Sequence, residues 1–225
     1  MSVFLKQKIF NEFAEYITAD RREKFQKNSQ ERTRYATVVL EDIFQPHNIS
    51  AVLRTCDCFG IQDVHIIEDR HRYKIDEGVS KGAAQWLSIK QYTKNSVEGT
   101  PECFAQLRAQ GYTIVATTPH ENDTLIEDLP LDTKVALVFG TEQWGLSAYA
   151  LENADAFVKI PLYGFTESFN ISVSAGIALY EITKRLRASS FPWQLSPEEL
   201  LDLQLAWLGK VTHRTSQINE RLQER

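Results

Sequence analysis

Residues 135–147 read VALVFGTEQWGLS, and the fold class depends chiefly on this stretch. The apolar residues 135–139 predict a buried strand, and Gly140 and Gly145 then allow a tight loop whose backbone can approach a ligand closely. Glu142 lies in that loop, just beyond the strand. Because open α/β sheets bind ligands where loops leave the carboxyl ends of strands, this loop is a candidate site. A helix-capping turn is the alternative interpretation.

Outward from this stretch, short β-branched runs recur at residues 37–40, 64–67, 113–117 and 157–160. Residues 49–59 and 171–186 carry helical spacing and are predicted to face the core. Strands that alternate with helices predict an α/β fold with a mostly parallel sheet. No strand is followed by the pattern G-x-G-x-x-G, which disfavours a Rossmann-type dinucleotide or methyltransferase site.

Both ends of the chain are predicted to be helical. Residues 1–36 have the pattern of a polar amphipathic helix, and Ser196 to Glu199 form a capping box that starts the amphipathic stretch 200–211. We therefore expect an amino-terminal helical extension (1–36), an α/β domain (37–187) and a separate carboxyl-terminal helical extension (188–225).

Composition indicates a globular protein. The 225 residues are 43% hydrophobic and 24% charged. The apolar runs are far shorter than the roughly 18 residues that a membrane span needs, and the first residues lack a signal pattern, so we expect a cytoplasmic protein without a membrane partner. Cys56, Cys58 and Cys103 are predicted to be reduced packing residues, and no metal site is predicted.

The net charge of −5 argues mildly against a nucleic-acid partner. The amino-terminal segment is nevertheless locally basic, and Arg21, Arg22, Lys24 and Lys27 are candidate nucleic-acid-binding residues. A second basic cluster, residues 184–187, follows the last long apolar helix. Solvated helix faces are the alternative interpretation of both clusters.

A second motif, residues 45–55, reads QPHNISAVLRT. Pro46 favours an extended Gln45, and either His47 or Asn48 could cap the following helix. Arg54 would point away from the buried face of that helix, where its guanidinium fork suits an anion such as RNA phosphate. An exposed or ion-paired arginine is the alternative.

A third motif, residues 159–172, reads KIPLYGFTESFNIS and joins the last strand to the long helix. Ser168 and Asn170 lie at the helix entrance, where backbone N–H groups lack partners. A functional site is one interpretation of these two polar residues. A simple N-cap at Asn170 is the other.

Taken in order, the three motifs N-x-S-x-x-L-R-T, F-G-x-E-x-x-G-L-S and I-P-x-x-G-x-x-E-S-x-N-x-S resemble those of the SpoU/TrmH branch of the SPOUT methyltransferases. The resemblance covers roughly residues 36–187, and the flanking helices look like those of the TrmH tRNA enzymes. It implies a deep carboxyl-terminal trefoil knot, a homodimer, and S-adenosylmethionine as co-substrate.

The resemblance also assigns residues to roles. Arg54 matches the arginine proposed to activate the ribose 2′-hydroxyl, and the motif residues implicated in activity or site geometry are Asn48, Glu142, Ser168 and Asn170. The positions expected to form the S-adenosylmethionine pocket, mostly through backbone groups, are Thr117, Gly140, Ile160, Gly164 and Phe169. Phe169 departs from the family, where leucine is common.

The function implied is methylation of a ribose 2′-hydroxyl in RNA, with guanosine 18 of the tRNA D-loop as the favoured target. Ribosomal RNA is the alternative substrate, and a non-catalytic RNA-binding relative or a structural α/β dimer are alternative functions. A guanidinium stays protonated at neutral pH, so an arginine base is costly, and we expect Arg54 to bind the phosphate and the developing oxyanion instead.

Overall fold

The computed structural model describes residues 3–69, 82–93, 99–119 and 124–223. The chain divides into two units. One combines its two ends, Met1–Thr33 and Gln194–Arg225, and the other is the central segment Arg34–Trp193.

The central unit is built on a parallel sheet. Within the described residues its strands are β1 (Ala36–Glu41), β2 (Asp63–Glu68), β3 (Ser88–Thr93), β4 (Tyr112–Thr117), β5 (Thr124–Leu125), β6 (Lys134–Phe139) and β7 (Ala156–Lys159). Their order is β3-β2-β1-β6-β4-β7-β5, and every described pairing is parallel. The predicted α/β fold with a mostly parallel sheet is therefore confirmed. β3 and β5 escaped prediction because β3 alternates little and is largely exposed, while β5 has two residues.

Helices cover both faces of this sheet. They are α3 (Pro46–Phe59), α4 (Gly99–Ala109), α5 (Ala148–Glu152) and α6 (Ile171–Ala188), with short 3-10 turns at Ala83–Trp86 and Ile126–Asp128. One buried cluster holds α3 and α6 against the sheet, and a second holds α4 and α5. Two covered faces explain why β1 and β6 are buried along their length and mostly apolar, rather than alternating.

The ends of α3 and α6 show how the motifs are built. Gln45 is extended (φ −95°, ψ 115°), as Pro46 requires, and it is itself the N-cap without a side-chain hydrogen bond. The prediction that His47 or Asn48 caps α3 is therefore wrong, because Pro46 already occupies the first helical turn. Asn170 is the N-cap of α6, and its Oδ1 accepts a hydrogen bond of 2.9 Å from the Ser172 N–H.

The terminal unit contains α1 (Val3–Ala14), α2 (Ala19–Gln30), α7 (Pro197–Thr212) and α8 (Thr215–Gln223). The single helix expected over residues 1–36 is instead two helices. The side-chain oxygen of Thr18 accepts a hydrogen bond from the Arg21 N–H and so caps the start of α2. The predicted capping box at Ser196 is confirmed. Lys6 of α1 donates hydrogen bonds of 2.8 Å to both Glu198 and Asp202 of α7, so the two ends of the chain pack together.

Two further sequence predictions concern membrane spans and cysteines. Within the described residues, no helix combines the length and the apolar character that crossing a bilayer requires. Cys56 and Cys103 are buried free thiols, as predicted for packing residues. Cys58 is exposed, so the packing prediction is wrong there: position 58 lies on the outward face of α3.

Candidate active site

A cleft of about 360 Å³ opens at the carboxyl edge of the sheet. The neighbouring strands β6, β4 and β7 end beneath it, and the amino-terminal turns of α6 close one side. The residues that line it come from the ends of these three strands, the loops after them, the 3-10 turn at Ile126–Asp128 and α6: Thr117, Thr118, Pro119, Ile126, Phe139, Gly140, Thr141, Glu142, Gln143, Gly145, Val158, Lys159, Ile160, Leu162, Glu167, Ser168, Phe169, Ile171, Ser174 and Ala178. The site therefore lies where parallel α/β sheets bind ligands.

Three of the predicted catalytic residues form one hydrogen-bonded chain, which we call the polar chain: Glu142, Asn48 and Asn170. The Asn48 amide donates to Glu142 Oε1 at 2.5 Å, and the Asn170 amide donates to Asn48 Oδ1 at 3.2 Å. Asn48 is almost completely buried at the start of α3, which fixes the centre of the chain. The three motifs thus meet at one point, although they are 94 and 122 residues apart in sequence.

Residues 140–147, which we call the motif loop, are held in a tight turn. Thr141 and Gly145 exchange two backbone hydrogen bonds, of 2.9 and 3.0 Å. A Cβ atom at Gly140 would lie 2.3 Å from the Gly145 carbonyl carbon, and Gly145 has a φ of 68°. Both glycines are therefore required by the loop itself, the first by close approach and the second by its left-handed backbone.

The predicted cofactor residues mostly surround this cleft. Thr117, Gly140, Ile160 and Phe169 line it, whereas Gly164 lies in an exposed part of the loop and is not among the lining residues. The Thr117 hydroxyl donates to the Val138 carbonyl at 2.8 Å, so its proton is used within the sheet. Ser168, the fourth polar motif residue, also lines the cleft.

Arg54 is the predicted catalytic residue that neither lines the cleft nor takes part in the polar chain. It is exposed on the outward face of α3, as the helical spacing predicted, and it is not among the lining residues. Its side chain makes no hydrogen bond or ion pair with any described residue. The guanidinium is therefore available to an external anion, and Lys159 is the basic residue among those that line the cleft.

Several site residues were not singled out from sequence. Glu167 and Lys159 lie within the third motif and line the cleft. Their charges within a motif that also contains Ser168 were the signal that could have identified them. Thr118 and Leu162 follow strands with no distinctive pattern. Among the described residues, no group of three or more His, Cys, Asp or Glu side chains is arranged to hold a metal ion.

The predicted RNA-binding residues lie on α2 of the terminal unit. Arg21, Lys24 and Lys27 are exposed, and Lys24 pairs with Asp20 at 2.7 Å. Arg22 differs from them: it is half-buried, and its Nη2 donates to the Ala14 carbonyl at 2.8 Å, which satisfies the end of α1. Arg22 therefore makes a structural contact, whereas Arg21, Lys24 and Lys27 are exposed.

Comparison with known proteins defines the class to which this fold and cleft correspond. The model of the SpoU rRNA Methylase family matches residues 35–180, which include all three motifs, and the chain belongs to this family.

Individual relatives narrow the comparison. The chain is 40% identical over 198 residues to the tRNA (guanosine(18)-2'-O)-methyltransferase of Borreliella burgdorferi, with 88% of each chain covered. It is 32% identical over 195 residues to the enzyme of the same name from Thermus thermophilus, covering 86% of this chain and 98% of the relative. The crystal structure of the A. aeolicus TrmH/SpoU tRNA modifying enzyme superposes with a TM-score of 0.75 at 27% identity, over 85% of this chain and 96% of that one.

Proposed function

We propose that this protein transfers the methyl group of S-adenosylmethionine to the ribose 2′-oxygen of guanosine 18 in the D-loop of tRNA. The observation that carries the proposal is the polar chain at the cleft, which joins the three family motifs through Asn48. The two relatives described above, matched over most of their length, carry this activity in their names.

The cleft fits S-adenosylmethionine in size and chemistry. Its volume of about 360 Å³ falls within the range of small-molecule sites, roughly 300–1,000 Å³. Gly140 lines the cleft without a side chain, so a ligand can approach the backbone closely there, and Ile160, Leu162 and Phe169 offer apolar surface to an adenine ring. Glu142 and Glu167 provide negative charge for a cationic ligand.

The reaction we propose requires alignment and charge stabilisation. In the transfer, the 2′-oxygen would bond to the methyl carbon in line with the breaking carbon–sulfur bond, so that the sulfonium leaves as a neutral thioether and the hydroxyl proton passes to solvent water. The polar chain holds Glu142 in one position, and Asn170 is fixed at both of its amide atoms. Arg54 binds the phosphate beside the target ribose and stabilises the oxyanion that develops as the 2′-hydroxyl loses its proton.

We propose that the protein forms a homodimer through the outward face of α6. Val173 and Tyr180 lie two turns apart on this helix and are 46% and 57% exposed, so this face offers apolar surface to a second copy. Arg54 belongs to α3, which packs against α6. A second copy docked on this face would therefore bring its Arg54 close to the interface.

The knot, the RNA-binding surface and the location follow the family. We propose that the chain from β7 into α6 forms the deep trefoil knot of SPOUT enzymes, as family membership supports. The terminal unit, Met1–Thr33 and Gln194–Arg225, is proposed to bind tRNA, with Arg21, Lys24 and Lys27 as the exposed cations. A bacterial relative that modifies tRNA supports a cytoplasmic location.

The proposal is tested by transfer of labelled methyl from S-adenosylmethionine to unmodified total tRNA and, in parallel, to ribosomal RNA. The proposal predicts label in tRNA, recovered as 2′-O-methylguanosine. Label only in ribosomal RNA would support the same reaction on a different substrate. Ribosomal RNA is the substrate that the name of the family contains. Absence of label in both RNAs would contradict catalysis and favour a non-catalytic RNA-binding relative.

A further inference from the structure

A buried carboxyl group lies beside the cleft, at a position that none of the three motifs contains. Glu41 is the last residue of β1, the neighbour of β6 in the sheet, and it is 3% exposed. A charged residue at the end of an apolar strand is rarely buried without partners, because desolvation of a carboxylate is costly. Its partners therefore indicate why it is there.

Glu41 accepts three hydrogen bonds, and two come from the end of the motif loop. Ser147 donates its backbone N–H to Oε2 at 2.9 Å and its hydroxyl to Oε1 at 2.8 Å. Thr100, at the start of α4, donates its hydroxyl to Oε1 at 2.6 Å. The Ser147 oxygen also accepts from the Ala150 N–H at 3.1 Å and so caps α5.

These bonds fix the motif loop at its far end. β6 holds the near end at Gly140, and the Thr141–Gly145 bonds close the turn between them. Residues 140–143 and Gly145 all line the cleft, and Glu142 lies between the two fixed ends. A shift at Ser147 would therefore move the lining of the cleft and the Glu142 end of the polar chain together.

We propose that Glu41 is a positioning residue for this active site: through Ser147 it sets the conformation of the motif loop, and thereby the shape of the co-substrate cleft. The inference rests on the proposed function for the identity of the co-substrate. Its geometric part, the tether between β1 and the motif loop, is independent of that identity.

The test compares Glu41→Gln with Thr100→Val as a matched control. Glutamine keeps the size of the side chain but places an NH2 group against one of the Ser147 donors. Thr100→Val removes the third bond to Glu41 and leaves both bonds to Ser147 intact. Each variant therefore perturbs the same buried group, but only the first changes the motif loop.

Two readouts are measured on the full chain. In hydrogen exchange without co-substrate, we expect amides 140–147 to exchange about tenfold faster in Glu41→Gln and within about twofold of wild type in Thr100→Val. In titrations with S-adenosylmethionine, we expect about tenfold weaker binding for Glu41→Gln alone, a change that a loss of global stability would not produce in the folded fraction.

Unchanged exchange in the motif loop of Glu41→Gln would overturn the tether, whether or not the protein binds S-adenosylmethionine. Equal effects of Glu41→Gln and Thr100→Val would assign Glu41 a general role in stability and would also overturn it. Failure of the wild-type protein to bind S-adenosylmethionine, with the exchange result as expected, would contradict the proposed function and leave the tether standing.

Discussion

Asn170 illustrates at the residue scale how one side chain can serve two interpretations of a motif. Sequence left an N-cap and a functional residue as alternatives, and the structure shows that the side chain makes the contacts of both. Its Oδ1 caps α6 through Ser172, while its amide donates to Asn48. Helix-capping patterns are local and could be read from sequence. The contact with Asn48, 122 residues away, could not.

Two substitutions separate these contacts. We expect Asn170→Ser to keep the cap and to leave the free energy of unfolding within about 0.5 kcal/mol of wild type, whereas Asn170→Ala should cost about 1 kcal/mol. Both variants lose the amide that orients Asn48, so both should lose methyl transfer at least about tenfold. Chemical denaturation and single-turnover transfer measure the two quantities, and full activity in Asn170→Ser would contradict the role of the polar chain.

Arg54 gives the second prediction at this scale. Because its side chain is exposed and has no partner among the described residues, Arg54→Ala should unfold at the wild-type temperature. Turnover should nevertheless fall about 100-fold or more if the guanidinium stabilises the oxyanion.

Arg54→Lys keeps the charge but not the planar fork, and it should recover only a small part of the activity. Near-normal turnover of the lysine variant would contradict a role that depends on the fork. Thermal unfolding of all three proteins serves as the control for folding.

At the scale of elements, sequence located the secondary structure best where burial patterns were strong. The five predicted strands are all present, with ends that differ by at most one residue, since buried β-branched runs leave few alternatives. β3 was missed because an edge strand with exposed Ser88, Lys90 and Gln91 has no apolar pattern. The buried Glu41 was missed because, in sequence alone, a charged residue at the end of an apolar strand indicates the start of an exposed turn.

The packing of β2 and β3 against α4 predicts a pH dependence of stability. Burial, with a contribution from nearby Lys90, lowers the pKa of His65 from 6.5 to about 4, and its Nδ1 is 2.9 Å from the Tyr92 hydroxyl oxygen. The folded state therefore binds the proton less readily than the unfolded state. The stability that neutral His65 contributes is complete above pH 6.5 and is lost as the pH falls towards 4.

We expect this loss to approach about 3 kcal/mol in the free energy of unfolding by pH 4. Glutamine at position 65 can still bond to Tyr92 but does not titrate. The stability of wild type relative to His65→Gln, measured by denaturation from pH 7.5 to 4, should therefore decrease as the pH falls. A constant difference across that range would contradict the linkage.

At the scale of the whole molecule, the division of the chain was the feature least visible in sequence. Patterns predicted two separate terminal extensions, but Lys6 contacts Glu198 and Asp202 across more than 190 residues of sequence, and the two ends form one unit. Such pairings depend on tertiary geometry rather than on local periodicity. The family motifs, in contrast, predicted which three distant segments would meet at the cleft.

The terminal unit is proposed to bind tRNA through α2, which predicts a salt dependence. The triple variant Arg21→Gln, Lys24→Gln, Lys27→Gln should bind unmodified tRNA more weakly, and the slope of log affinity against log salt should fall by about 1 to 3. Arg22 is left in place because it holds the end of α1.

Lys8→Gln, which removes an exposed charge from α1, is the control for net charge. Filter binding from about 50 to 200 mM salt measures both slopes. If the triple variant had the wild-type slope and full affinity, the RNA-binding surface would not lie on α2.

The most direct test of the proposed function uses two synthetic tRNAs that differ only in which nucleotide lacks a 2′-hydroxyl. One carries 2′-deoxyguanosine at position 18 and the other at position 19, and methyl transfer from S-adenosylmethionine is followed in each. We predict no methylation of the first tRNA and near-normal methylation of the second, with the product mapped to guanosine 18. Equal methylation of both tRNAs would contradict the claim that this protein acts on that 2′-oxygen.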